Sequence, residues 1–174
     1  ISALAPNGII GVKGIDVRVS GTYKGKATIV ARTTGSTGNL KGNVWIQGDI
    51  VAADNPKTNP SSPDVLGLVA ERMTYVATTG ISRNSGSQTN VQAAIYCHNG
   101  VFAVENYSSC GPAGRLNLFG SVTMNASTST GTSSGGVITN GMLKSFRHDP
   151  RFLMQSPIMF PFADKSQVLS WWEN

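Results

Sequence analysis

The chain has 174 residues, 40% of them hydrophobic and only 13% charged, with a formal charge of +5 and a pI near 9.5. That length supports one domain with a real core and is marginal for two. No apolar run approaches the ~20 residues of a membrane-spanning helix. The charged share is about half the usual one, and the positive sign favours a polyanion as partner.

In chain order, ISALAPNG reads as the start of an excised or processed fragment, and APNGIIGVKG as a cover for one end of the patterned region. The first patterned element is VRVSGTYKG (17–25), where Val17 and Val19 alternate with polar residues, Gly21 interrupts, and Tyr23 resumes the alternation. Alternation marks a strand with one dry and one wet face, and a glycine in mid-strand marks a bend. VWIQGDIVA (44–52) repeats this place for place with Val44, Ile46, Gly48, Ile50 and Ala52. The polar stretch NPKTNPSSPD (55–64) reads as a surface loop. LGLVAERMTY (Leu66, Leu68, Met73, Tyr75) and AAIYCHNGVFA (Ala93, Ile95, Val101, Ala103) are looser copies with longer corners, separated by a second loop, ISRNSGSQTN (81–90). LNLFGSVTM (116–124) returns to the strict form.

Copies beginning near 17, 44, 66, 93 and 116, each too small to bury its own apolar face, point to stacked repeats. The predicted fold is all-β: a single-stranded β-solenoid (β-helix-like) of about five coils over 1–126, within one domain spanning 1–174. A β-sandwich also has short strands and frequent turns, but five variants of one corner are hard to obtain from hairpins. Residues 127–140, around NASTSTGTSSGG, read as a flexible loop. Residues 141–174 read as an extended C-terminal strap or cap, since Pro150, Pro157 and Pro161 oppose a helix. Its aromatics Phe146, Phe152, Phe160, Phe162, Trp171 and Trp172 either pack along the solenoid or offer a docking surface. Trp171 and Trp172 are the candidates for partner docking.

Cys97 and Cys110 flank a stretch short enough to close as a loop. A disulfide there adds about 3 kcal/mol in the chain-entropy model, and two buried free thiols are the alternative. The composition favours the bridge, because Ser, Thr, Asn and Gly must supply the polar surface, as on exported β-rich proteins. Two cysteines and His98 lack a fourth ligand for a metal. There is no HExxH or Walker loop, and His98 and His148 both fall in turns. Asp16, Asp49, Asp54 and Glu71 are the acids that a polysaccharide-active β-helix enzyme would have to use. No pair of them has a spacing that predicts glycosidase geometry. The reading is therefore non-enzymatic, with no cofactor and no metal.

Fourteen Lys and Arg oppose nine acids. Lys13, Arg18, Lys24, Lys26, Arg32 and Lys41 face only Asp16 between residues 13 and 41, and Lys144, Arg147 and Arg151 form a second group ahead of the strap. Coils would set such side chains in columns about 4.8 Å apart. A basic face of this kind binds DNA or another polyanion without reading sequence and weakens with salt.

GKATIVA, VWIQGDIV, LGLVAERMTYV, VQAAIYCHNGVFAVENY, GRLNLFGSV, HDPRF, PIMFPF and VLSWWEN, in that order, resemble an uncharacterised bacterial domain family attached to type IV pilin-like proteins. The resemblance runs from about residue 14 to the end. The family is in turn similar to the β-solenoid part of a competence-associated minor pilin. This implies an extracellular, pilus-associated location among other pilus subunits, with no membrane contact from this segment and a role in catching DNA. The sequence carries no N-terminal hydrophobic pilin helix, so pilus membership is implied by the resemblance alone, and the family supplies no catalytic residues. An adhesive or structural module that contacts protein or glycan is the second expectation.

Overall fold

The computed structural model describes residues 5–35 and 41–161. Within them the alternating stretches form β1 (Ile9–Lys13), β2 (Val17–Tyr23), β3 (Lys26–Arg32), β4 (Val44–Ala52), β5 (Val65–Ala70), β6 (Thr74–Val76), β7 (Gln88–Cys97), β8 (Phe102–Val104), β9 (Pro112–Met124), β10 (Gly131–Ser134) and β11 (Val137–His148). Pairing is parallel throughout, except between β10 and β11. Parallel pairing of strands joined by short corners requires the chain to wind, and the registers resolve three columns.

Column one stacks Val19, Ile46, Val76 and Val104 from β2, β4, β6 and β8. Column two stacks Gly21, Ile50, Val91, Leu118 and Phe146 from β2, β4, β7, β9 and β11. Column three stacks Ile10, Ile29, Leu68, Ile95 and Val122 from β1, β3, β5, β7 and β9. The chain visits the columns in the order one, two, three and then drops a layer. The fold is an all-β solenoid of about five coils, as the sequence predicts. Ile46, Leu68, Ile95 and Leu118 share one dry core, with Val19 packed against it. Each such side chain contributes about 1.5–3 kcal/mol on burial.

The five sequence copies are three different corners. VRVSGTYKG and VWIQGDIVA turn from column one to two, LNLFGSVTM turns from two to three, and LGLVAERMTY and AAIYCHNGVFA turn from three to one. Every corner joins two strands with inward residues, so the strict copies read alike. In the two looser ones Tyr75 and Ala103 register with the outward Trp45, and Thr74, Val76, Phe102 and Val104 face inward in place of Met73, Tyr75, Val101 and Ala103. Their glycines differ in cause. Gly21 has φ +109°, where other residues are strained. Gly120 is required by space, because a Cβ there would lie 1.9 Å from the Ala93 carbonyl oxygen in the layer below.

Two expectations about the C-terminal part are corrected. Residues 127–140 are not simply a loop, since β10 and the start of β11 form an antiparallel hairpin. Residues 141–148 then add a last layer to column two on β9. There Lys144 registers with the inward Leu116 but is exposed, and a charge at an inward position of an edge layer discourages further stacking. Beyond a 3-10 turn, Pro150–Leu153, the chain behaves as the expected strap along the outside of column three. Phe160 and Pro157 sit against Gly67, where a Cβ would meet Phe160 at 2.6 Å. Thr28 donates its hydroxyl hydrogen to the Ile158 carbonyl. The outward positions Thr28 and Ala94 are consequently dry. Phe162, Trp171 and Trp172 lie outside the described residues.

The disulfide expectation is also corrected, because Cys97 and Cys110 are free thiols. The residues between them do not close a loop; they travel round the coil through β8. Cys97 ends β7 in the core, its thiol donating to Thr74 Oγ1 at 3.3 Å, while Cys110 lies in the turn before β9, its thiol directed at the Gly111 carbonyl. Burial pushes the Cys97 thiol pKa up, which keeps it protonated and unreactive.

Candidate polyanion interface

The corner between columns three and one gathers several of the basic residues. β1 and β3 pair so that Lys13 and Arg32 are register partners, about 4.8 Å apart along the backbone. One layer on, Glu71 follows, its amide donating to the Ala31 carbonyl at 2.9 Å. Arg72 is placed beside it by its amide, which donates to the Gly42 carbonyl at 3.3 Å. Lys13, Arg32, Glu71 and Arg72, with Thr33 and Asn99, line an open cleft of about 590 Å³.

Two carboxylates shape this corner. Glu71 accepts the Thr33 amide at 2.9 Å and lies 3.8 Å from Arg32, whose side chain is 69% exposed. Exposed pairs of that kind contribute about 0–1 kcal/mol, so Arg32 remains available. Asp16 is committed to structure. One of its oxygens accepts the amides of Gly42 and Asn43 and the Asn43 side chain, and the other accepts the Trp45 indole at 3.1 Å. Burial opposes the Asp16 charge, but the Asn43 and Trp45 donors and Lys41, 4.0 Å away, outweigh it and hold its carboxyl below the ordinary value of 3.8.

The predicted basic residues therefore divide. Lys13, Arg32 and Lys41 come together at this corner, with Arg72 as a member the sequence reading missed. Arg18 points outward on column one, its guanidinium 5.9 Å from the Trp45 ring, which stacks on Tyr75 at 4.6 Å. Lys24 and Lys26 are exposed at a different corner, where column two meets three. Of the second group, Lys144 is exposed on the last layer and Arg147 covers the Phe119 ring. Arg151 is withdrawn from any interface. It is 7% exposed, with Nη2 2.7 Å from Asp149 and Nη1 donating to the Ser62 and Asp64 carbonyls. It locks the strap to the loop between β4 and β5.

The four acids considered for an enzyme do not converge. Asp16 and Glu71 brace the basic corner. Asp49 accepts the Asn90 amide and side chain on column two, and Asp54 accepts the Asn59 side chain in the loop. The signal for Trp45 and Tyr75 was present in the sequence: Arg18 and Trp45 hold the same place in VRVSG and VWIQG, and Tyr75 joins them in register.

Fold and corner together define a β-solenoid domain with a basic edge. Comparison with family models, with curated proteins and with solved structures returns no match.

Proposed function

We propose that the chain is a non-enzymatic, extracellular β-solenoid domain of a pilin-like bacterial surface protein, set among other pilus subunits, whose basic edge captures a polyanion, with DNA as the leading ligand. The observation that carries this reading is the convergence of Lys13, Arg32 and Arg72 on one cleft, where Glu71 is the sole lining carboxylate among the described residues. Such a cleft attracts phosphates without reading bases, and each neutralised phosphate steepens the salt dependence.

The test is duplex binding by fluorescence anisotropy at several salt concentrations. K13E/R32E/R72E is expected to lower affinity at least tenfold at low salt and to flatten the salt slope, while K24E/K26E, at another corner, has a smaller effect. Equal losses in both variants, or none in the first, would contradict the assignment.

A second reading, an adhesive module for glycan or protein, is favoured by the polar ladder on column two. There the Asn117 side chain donates to Gln88 and Asn90, and Asn90 donates to Asp49. Glycan-array binding without DNA binding would select it.

A further inference from the structure

Phe119 occupies an outward position of column two, with Arg147 as its register partner in the last layer, yet only 5% of it is exposed. Two cations cover it. Lys57 Nζ lies 5.8 Å from the ring centroid and the Arg147 guanidinium carbon 5.7 Å from it. They arrive from unrelated segments, Lys57 from the loop after β4 and Arg147 from β11. They line a cavity of about 290 Å³, walled by Pro56, Pro60 and Pro150 and lined also by His148 and by the Asp149–Arg151 pair.

The neighbouring carboxylates are engaged elsewhere: Asp149 grips Arg151 and Asp54 accepts Asn59. Among the described residues neither Lys57 nor Arg147 makes an ion pair. Two like charges brought to one ring repel, and each cation–π contact returns only about 0.5–1 kcal/mol at an exposed site. An anion seated between the two removes the repulsion and gains both charge-assisted contacts. Proline walls hold the backbone torsion fixed, so little ordering is left for a ligand to impose. The volume falls just under the range of about 300–1,000 Å³ usual for small-molecule sites, which suits a single headgroup.

We propose that this pocket binds a tetrahedral oxyanion, a phosphate or sulfate monoester, with Lys57 and Arg147 holding the anion and the Phe119 edge and prolines receiving the group that bears it. The site lies on column two, away from the basic corner, and does not depend on the reading of that corner. A terminal phosphate of a nucleic acid and a phosphorylated or sulfated sugar share this chemistry.

The test tracks backbone amide shifts of the full chain during titration with inorganic phosphate, adenosine monophosphate, adenosine and glucose 6-phosphate. Saturable shifts at Phe119, Arg147 and His148 are expected with phosphate and both esters, and none with adenosine. The tighter ester names the source. K57M/R147M, which keeps the apolar stems, is expected to weaken binding at least tenfold with an unchanged melting temperature, and K57M alone supplies the comparison if the double variant is less stable. K13E/R32E/R72E should bind phosphate as the parent does, which separates failure of this site from failure of the corner. No saturable shift, or undiminished binding in K57M/R147M, would overturn the proposal.

Discussion

At the residue scale, single groups hold distant coils together. Arg151 and Asp149 are buried with side chains 6% and 2% exposed. Removing one partner leaves the other charged and dry, so R151A is expected to cost about 3–5 kcal/mol in a denaturant melt, more than truncation of any exposed arginine. Asp16 is the counterpart at the basic corner. Because its folded pKa is depressed, its contribution is present in full above 3.8 and is lost as pH falls through the folded value. D16N should therefore lose about 1–3 kcal/mol at neutral pH and show a shallower loss of stability in acid than the parent; an identical acid profile would remove Asp16 from this role. Little of this was legible in the sequence. Arg151 read as one more surface cation because nothing local announces that the Ser62 and Asp64 carbonyls stand beside it. Cys97 and Cys110 misled because closeness along the chain implies closeness in space only where the chain turns back.

At the element scale, the corners were readable, and their kinds were not. A strand, a bend and a strand give the same pattern whichever two columns they join, so the copies could not reveal that a coil has three sides. The loops at 55–64 and 81–87 lengthen particular corners and disturb the spacing further, and Gln88–Asn90, read from the sequence as the end of the second loop, already belong to β7. The strap was foreseen from its prolines and aromatics, whereas its seat depends on the absence of a side chain at Gly67. G67V places atoms where Phe160 and Pro157 lie. It should lift the strap, measured as faster hydrogen exchange at Ile158 and Phe160, while β3 and β5 remain protected. Exchange unchanged at the strap would show that Gly67 is not its seat.

At the scale of the whole molecule, both proposed surfaces arise from winding. Lys13, Arg32 and Arg72 are far apart in sequence and meet only because successive layers superpose; Lys57 and Arg147 reach one ring for the same reason. The basic corner was half legible, since charge excess is a matter of composition while its division among corners needs the register. The most direct test is the pattern of cross-strand nuclear Overhauser contacts. Parallel stacking predicts contacts linking Trp45 with Tyr75, Tyr75 with Ala103, and Val69 with Tyr96, with close Hα–Hα pairs confined to β10 and β11. A sandwich of hairpins would instead give close Hα–Hα pairs along most strands, and that result would contradict the solenoid and both surfaces inferred from it.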